Sequence, residues 1–197
     1  DPRDLDVACR LVDGSLATVT HTSLGAKCIS NCYINTFFDP SAMLGVTAPN
    51  GMSMFVYLTD NVQSNVWDFG IQIGSNITMM SARINNNNNT WYIGSATQCA
   101  ATSFADSRGF TINMKQGATA KSFKNGGKSA DYAAGGVVSL PSGNMYLGTY
   151  NLDGVKGPAT GRNIALAGAG VFLTDYECMH LSLLTNQLMK KLGRNIY

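Results

Sequence analysis

Charge is scarce in this chain. Only 13% of its 197 residues are Asp, Glu, Lys or Arg, about half the share of an average globular chain. Glu177 is its only glutamate. That excludes chemistry built on a pair of glutamates, and a retaining glycosidase needs two carboxyl groups about 5 Å apart. Histidine is nearly absent too, with His21 and His180 alone. Cys28 and Cys32 in CISNC therefore lack the second pair or nearby His that a zinc site requires. No apolar run reaches the ~20 residues of a membrane-spanning helix. Net charge is +2, without a basic stripe. Lys121, Lys124 and Lys128 form one cationic patch, and Lys190, Lys191 and Arg194 another. Neither is interleaved with aromatics, so no nucleic-acid partner is expected. No signal peptide is visible and the first residue is Asp, so the chain reads as trimmed, processed or a fragment.

What is present is turn-forming and strand-forming. Hydrophobic residues make up 45% of the chain, with 21 glycines and many Asn and Thr. Gly and Asn supply turns, and Thr tolerates strands. The length suits one all-β domain over 1–197. Residues 1–15 read as an irregular segment, and LATVTHT (16–22) as an edge strand. Residues 23–50 show no clean period and read as loops, with a short strand around CYINTFF. MSMFVYL carries Met52, Met54, Val56 and Leu58 on one face and Phe55 and Tyr57 on the other, a strand covered on both sides. WDFGIQI alternates Trp67, Phe69, Ile71 and Ile73 with polar or small residues, which assigns Trp67 to the core. ITMMSARI and TWYIG flank Asn85–Asn89, read as a hairpin loop. RGFTINMK sets Phe110, Ile112 and Met114 against Thr111, Asn113 and Lys115. Asn125–Gly126 is a strong hairpin signal. RNIALAGAGVFL is a small-residue strand expected to be twisted or bulged.

FLTDYECMHLSLLTNQLMKKLGRNIY closes the chain and reads as a helix over 174–192. Thr174 and Glu177 form a capping-box pair, and Asp175 and Glu177 suit the first turn of the dipole. Cys178, Leu181, Leu184, Leu188 and Leu192 follow helical spacing and predict the face laid on the sheet. Lys190, Lys191 and then Gly193 mark the stop.

The order of features over about 105–196 resembles a known family. An Asn-Gly turn in KNGGK, the step NMYLG, the strand GRNIALAGAG, a Leu-Thr-Asp-x-Glu helix start and the ending LGRNI are similar to the laminin-G-like, concanavalin-A-like jelly roll of phage tail, other virion and some bacterial surface proteins. The first half, CISNC included, carries no matching motif. The resemblance implies a two-sheet antiparallel sandwich with one C-terminal helix, and ligand sites, where present, on rim loops or the concave face. Glucanases of that fold use two Glu on one strand flanking an Asp, a pattern missing here.

Candidate chemistry then falls to the loops. Carbohydrate recognition needs an aromatic surface with polar partners, which Trp91 and Tyr92, or Tyr150, Asn151 and Asp153, supply; Trp67 is a weaker candidate. Calcium, a companion of this fold, would draw on Asp60 and Asn61, or on Asp153 in NLDG. Arg162 reads as the partner of an acid near the helix start. His180 and Cys178 lie two apart on the helix and so point to different faces. Among five cysteines, Cys9 with Cys28 or with Cys32 suits an oxidising compartment, and an odd count leaves one thiol over. Asn76 and Asn88 head glycosylation sequons.

These features point to a non-enzymatic structural protein of a virion or extracellular surface. In that role it is a phage fibre, tail or receptor-binding module that recognises a host-surface glycan or receptor. Its other expected partners are virion subunits and further copies of itself in a homo-oligomer. The alternatives are a purely architectural capsid, sheath or filament subunit, and a polysaccharide hydrolase working through Asp60 or Asp153.

Overall fold

The computed structural model describes residues 19–29, 32–45, 47, 51–84, 86–101, 104–133 and 139–196. The expected irregular segment 1–15 with Cys9, residues 16–18 of the expected edge strand, and Asn85 of the asparagine loop lie outside these residues. In chain order the elements are β1 (Thr20–Thr22), β2 (Gly25–Lys27), β3 (Ile34–Asn35), α1 (Pro40–Leu44), β4 (Met52–Leu58), β5 (Phe69–Ile73), β6 (Asn76–Ser81) and β7 (Asn89–Ile93). They continue with β8 (Cys99–Ala101), β9 (Gly109–Gln116), β10 (Thr119–Lys124), β11 (Gly127–Ala133), β12 (Tyr146–Leu147), β13 (Asn151–Leu152), β14 (Val155–Lys156), β15 (Asn163–Gly170) and α2 (Asp175–Lys191).

Two sheets stack as the expected jelly-roll sandwich. One runs β1-β2-β15-β4-β9-β10-β11, and the other β14-β13-β5-β6-β7-β8, with β12 bridging β3 and β5. All pairings are antiparallel except β13 with β5. The two-sided reading of β4 explains the layering. Met52, Met54, Val56 and Leu58 enter the core between the sheets, against Phe69, Ile71, Met80, Trp91 and Ile93. Tyr57 and Phe55 project the other way, onto Phe110, Ile112, Met114 and Phe123 beneath α2. Each large side chain so buried contributes roughly 1.5–3 kcal/mol.

The alternation expected in β9 is present, and its polar set lies inside the sandwich. Thr111, Asn113 and Lys115 are fully buried between the sheets. Polar groups persist there because they answer one another: Asn113 and Asn89 exchange amide hydrogen bonds of 2.9 and 2.7 Å, and Asn89 also donates to Ser122 Oγ at 2.7 Å. Asn89 thus begins β7 instead of ending the loop. The Asn125–Gly126 turn forms as expected, both residues at positive φ. β15 carries its bulge between Ile164 and Leu166. Its Gly168 faces the Phe55 ring so closely that a Cβ would collide with it. α1 was not expected. Its signal is the Asp39–Pro40 pair, an N-cap whose carboxylate accepts from Ala42 N, with proline in the first turn.

α2 forms with both expected ends. Thr174 Oγ1 accepts from Glu177 N, and Glu177 Oε2 accepts from Thr174 N at 2.7 Å. At the other end Arg194 N bonds Met189 O and Gly193 N bonds Lys190 O, with Gly193 at φ 66°, the Schellman arrangement. The buried face, however, is not the predicted one. Cys178, Ser182, Thr185 and Met189 meet the sheet, while Leu184, Leu188 and Leu192 are exposed. At about 100° per residue the helix is turned roughly 70° from the expected seat. The cause lies in the sheet, whose outer face already carries bulky Tyr57, Phe110, Met114 and Phe123. Small residues on the helix let it lie close on these rings. Ser182 costs little there, because its hydroxyl donates to Cys178 O at 2.7 Å. No helix among the described residues is long and apolar enough to cross a membrane.

Candidate ligand-binding surface

α2 covers one outer face of the sandwich; on the other sheet's outer face Tyr33, Asn35, Trp67 and Tyr92 are half-buried, with Tyr146, Gly70 and Met79 buried between them. Cross-strand register sets a row there. Asn35 faces Tyr146, Tyr146 faces Gly70, Gly70 faces Met79, and Met79 faces Tyr92. Gly70 keeps the row flat, since a Cβ at that position would collide with Met79. Aromatic pairs stand at the two ends. Tyr33 stacks on Tyr146 at 4.3 Å, and Trp67 meets Tyr92 edge-on at 5.4 Å and 68°. The Tyr92 hydroxyl donates to Gln98 Oε1 at 3.0 Å. Desolvation by burial, followed by the nearby Cys99 thiol, pushes the Tyr92 phenol up from its ordinary value, so it stays a neutral donor. Ring edges joined to an amide and a hydroxyl can hold a flat, hydroxyl-rich molecule.

The predicted pair Trp91 and Tyr92 is therefore split. Tyr92 faces outward, whereas Trp91 is fully buried in the core, edge-on to Tyr132 at 5.7 Å. Alternation in β7 forces one of the two inward, and the larger ring fills the core. Its indole N–H finds no acceptor among the described residues. Trp67 moves the opposite way. Its apparent alternation with Phe69 breaks because β5 starts only at Phe69, leaving Trp67 half-buried beside Tyr92.

The loop Tyr150–Asp153 uses its polar atoms on itself. Asn151 is buried; its Nδ2 donates to Asn144 O and its Oδ1 accepts from Gly154 N, both at 2.8 Å. Asp153, at φ 49°, accepts from Gly74 N at 2.9 Å and ties the β13–β14 turn to the β5–β6 turn. Tyr150 lies over Gly157, where a Cβ would strike its ring.

Asp60, Asn61 and Asp153, the residues named for calcium, each hold protein donors. Asp60 accepts from Asn163 N at 3.0 Å and Asn163 Nδ2 at 3.1 Å, with Lys27 Nζ 4.0 Å away. Asn61 Oδ1 accepts from Arg83 Nη1 at 2.7 Å and Ser107 N at 3.1 Å. These oxygens face N–H donors and cations. No cluster of three or more His, Cys, Asp or Glu that could hold a metal occurs among the described residues. Arg162 does pair with an acid, but with Asp68 and not one near the helix start. Asp175 there is taken by Lys121 at 2.6 Å and Lys128 at 2.9 Å.

No family model matches the chain, and no curated protein matches it. Solved structures share its fold. Domain 4 of AbnA, a GH43 extracellular arabinanase from Geobacillus stearothermophilus in complex with arabinotriose, matches with a TM-score of 0.59 at 14% identity, over 89% of this chain and 86% of that one. The CBM40 of a Ruminococcus gnavus IT-sialidase matches at 0.55 and 14%, over 80% and 96%. The enzymatically active domain of bacteriophage CBA120 tailspike protein 2 matches at 0.50 and 12%, over 85% of this chain and 29% of that one. The shared feature is the β-sandwich itself. None of these three is a laminin-G module, so the family resemblance read from the C-terminal motifs coarsens to this architecture.

Proposed function

We propose that this chain is a non-catalytic glycan-recognition module displayed on a virion or another extracellular surface. The observation that carries the reading is the half-buried Trp67–Tyr92 pair, tied to Gln98, on the sheet opposite α2. Rings offer a sugar its apolar contact, and the amide and phenol answer its hydroxyls. The fold supports this reading, since the matched arabinanase domain holds arabinotriose and a tailspike domain shares the sandwich. Absence of catalysis rests on what the carboxylates do. Glu177 is spent on Thr174, and Asp60 and Asp153 are engaged by backbone and side-chain donors.

The test is a glycan array probed with the whole chain, followed by adsorption to cells bearing the hits. Trp67→Ala and Tyr92→Ala are expected to weaken binding by about tenfold or more, as hot-spot aromatics do. An array and cells both left unbound would overturn the recognition reading and leave the architectural one. Turnover of any polysaccharide in a panel, lost in Asp60→Asn or Asp153→Asn, would overturn the non-catalytic part.

A further inference from the structure

The outward side of α2 carries two apolar strips, with His180, Gln187 and Lys191 exposed between them. Tyr176, Met179, Leu183, Leu184, Leu188 and Leu192 are all exposed, Leu184 by 50% and Leu192 by 51%. Soluble monomers rarely leave so much apolar surface in water. Along this side Glu177, Leu181, Leu184, Leu188 and Lys191 recur at alternating steps of four and three, the spacing of a two-helix seam. A shallow groove of about 250 Å³, lined by Leu173, Tyr176, Glu177, His180, Leu181 and Leu184, opens at one end of it.

Charge names the occupant. The first turn of α2 is acidic, with Asp175 and Glu177, and its last turn is basic, with Lys190 and Lys191. Asp175 is held by Lys121 and Lys128, whereas Glu177, bonded to Thr174 through Oε2, has no cation beside it among the described residues and is exposed. A parallel partner of the same sequence would set like charges together. An antiparallel copy sets Glu177 against Lys191 at both ends, opposes the two helix dipoles, and brings Leu184 to its own counterpart at the centre. We infer that α2 pairs antiparallel with α2 of a second copy of this chain, about a two-fold axis close to Leu184. The contact is isologous. In this register Leu188 of each copy falls beside His180 of the other, so each copy fills the groove of its mate.

Light scattering on the eluting whole chain, across a wide concentration range, tests the pairing. A dimer is expected, weakened by about tenfold or more in Leu184→Glu and Leu188→Glu. Both positions are exposed, and circular dichroism checks that α2 persists. Leu184→Cys supplies an independent readout. Its two copies meet at the axis, so oxidation should crosslink the dimer, whereas Met179→Cys on the far flank should stay uncrosslinked. A concentration-independent monomer would overturn the proposal; so would a dimer indifferent to both glutamates, or one that Met179→Cys crosslinks as readily as Leu184→Cys.

Discussion

Nη1 of Arg162 lies 2.6 Å from both carboxylate oxygens of Asp68, a residue 94 positions earlier, and neither side chain reaches solvent. The rest of the guanidinium is used as well: Nε donates to Val62 O at 2.9 Å, Nη1 to Ser81 Oγ at 3.1 Å, and Nη2 to Arg83 O. Asp68 also accepts from Thr160 Oγ1 and Ala82 N, both at 2.8 Å. This pair staples the 59–68 loop and the entry to β15 onto the end of the second sheet.

Removing one partner should be costly. Asp68→Asn strands a buried cation, and a loss of about 3–5 kcal/mol is expected in urea unfolding. The double change Asp68→Asn with Arg162→Met should cost clearly less than the two single changes summed. Additive costs would mean that the pair is not coupled as the geometry requires.

Lys124 sets a pH signature. Its ammonium donates to Ser107 O at 3.1 Å and Thr111 Oγ1 at 3.2 Å. The residue as a whole is partly exposed, yet burial of the charged end pushes it down to about 8, against the pull of Asp106 and Asp68 and with Arg162 adding to the fall. The unfolded chain holds that proton up to the ordinary 10.5. Between these values it binds more protons than the folded one, so this group makes stability rise with pH. Comparison with Lys124→Met isolates the effect: the variant's advantage should shrink by on the order of 3 kcal/mol from pH 7 to pH 10.5. A difference flat in pH would place the ammonium in water.

Adjacent residues of β7 should behave oppositely. Trp91→Ala empties the core and is expected to cost about 3–5 kcal/mol. Tyr92→Ala loses an edge-on aromatic contact worth about 1 kcal/mol, while losing glycan binding. Thermal melts and array binding measured on the same samples separate the two. Comparable destabilisation by both would move Tyr92 into the core.

Thiol chemistry reports how firmly α2 is seated. Cys178 is buried with its Sγ 4.0 Å from Met114 Sδ. Burial first, then Asp175 and Glu177, push its thiol up to about 12. A folded value raised above the ordinary thiol favours the folded state at neutral pH, and that contribution is lost as pH rises from the ordinary value toward 12. Iodoacetamide at pH 8 should leave Cys178 and Cys99 unlabelled until the protein unfolds, as read by peptide mass. Prompt labelling of Cys178 would mean that the helix lifts readily.

Local chemistry carried much of the fold in the sequence. The Thr174–Glu177 box, Gly193, Asn125–Gly126 and the two-sided MSMFVYL each act within a few residues, so their outcome follows from their neighbours. Misreadings arose where a distant element decides. The leucines of α2 mark an apolar arc, but Phe110 and Tyr57 on the sheet select the small-residue arc for contact. The alternation in β9 puts Asn113 on one face, but its partner Asn89 lies on the other sheet. Trp91 and Tyr92 were both legible as candidates, yet only strand register tells which one faces out. Trp67 joins Tyr92 across the turn into β5, a contact that no periodicity encodes.

The position of β15 has a consequence for synthesis. This strand, residues 163–170, sits between β2 and β4, both made far earlier. Until it emerges from the ribosome, β4 has a partner on one side only and keeps an open, apolar edge. Pairing at such long sequence separation is slow, so the central sheet stays divided until residues 163–170 have been made. A chaperone-rich host, or slow elongation through residues 163–170, should raise the yield of folded protein.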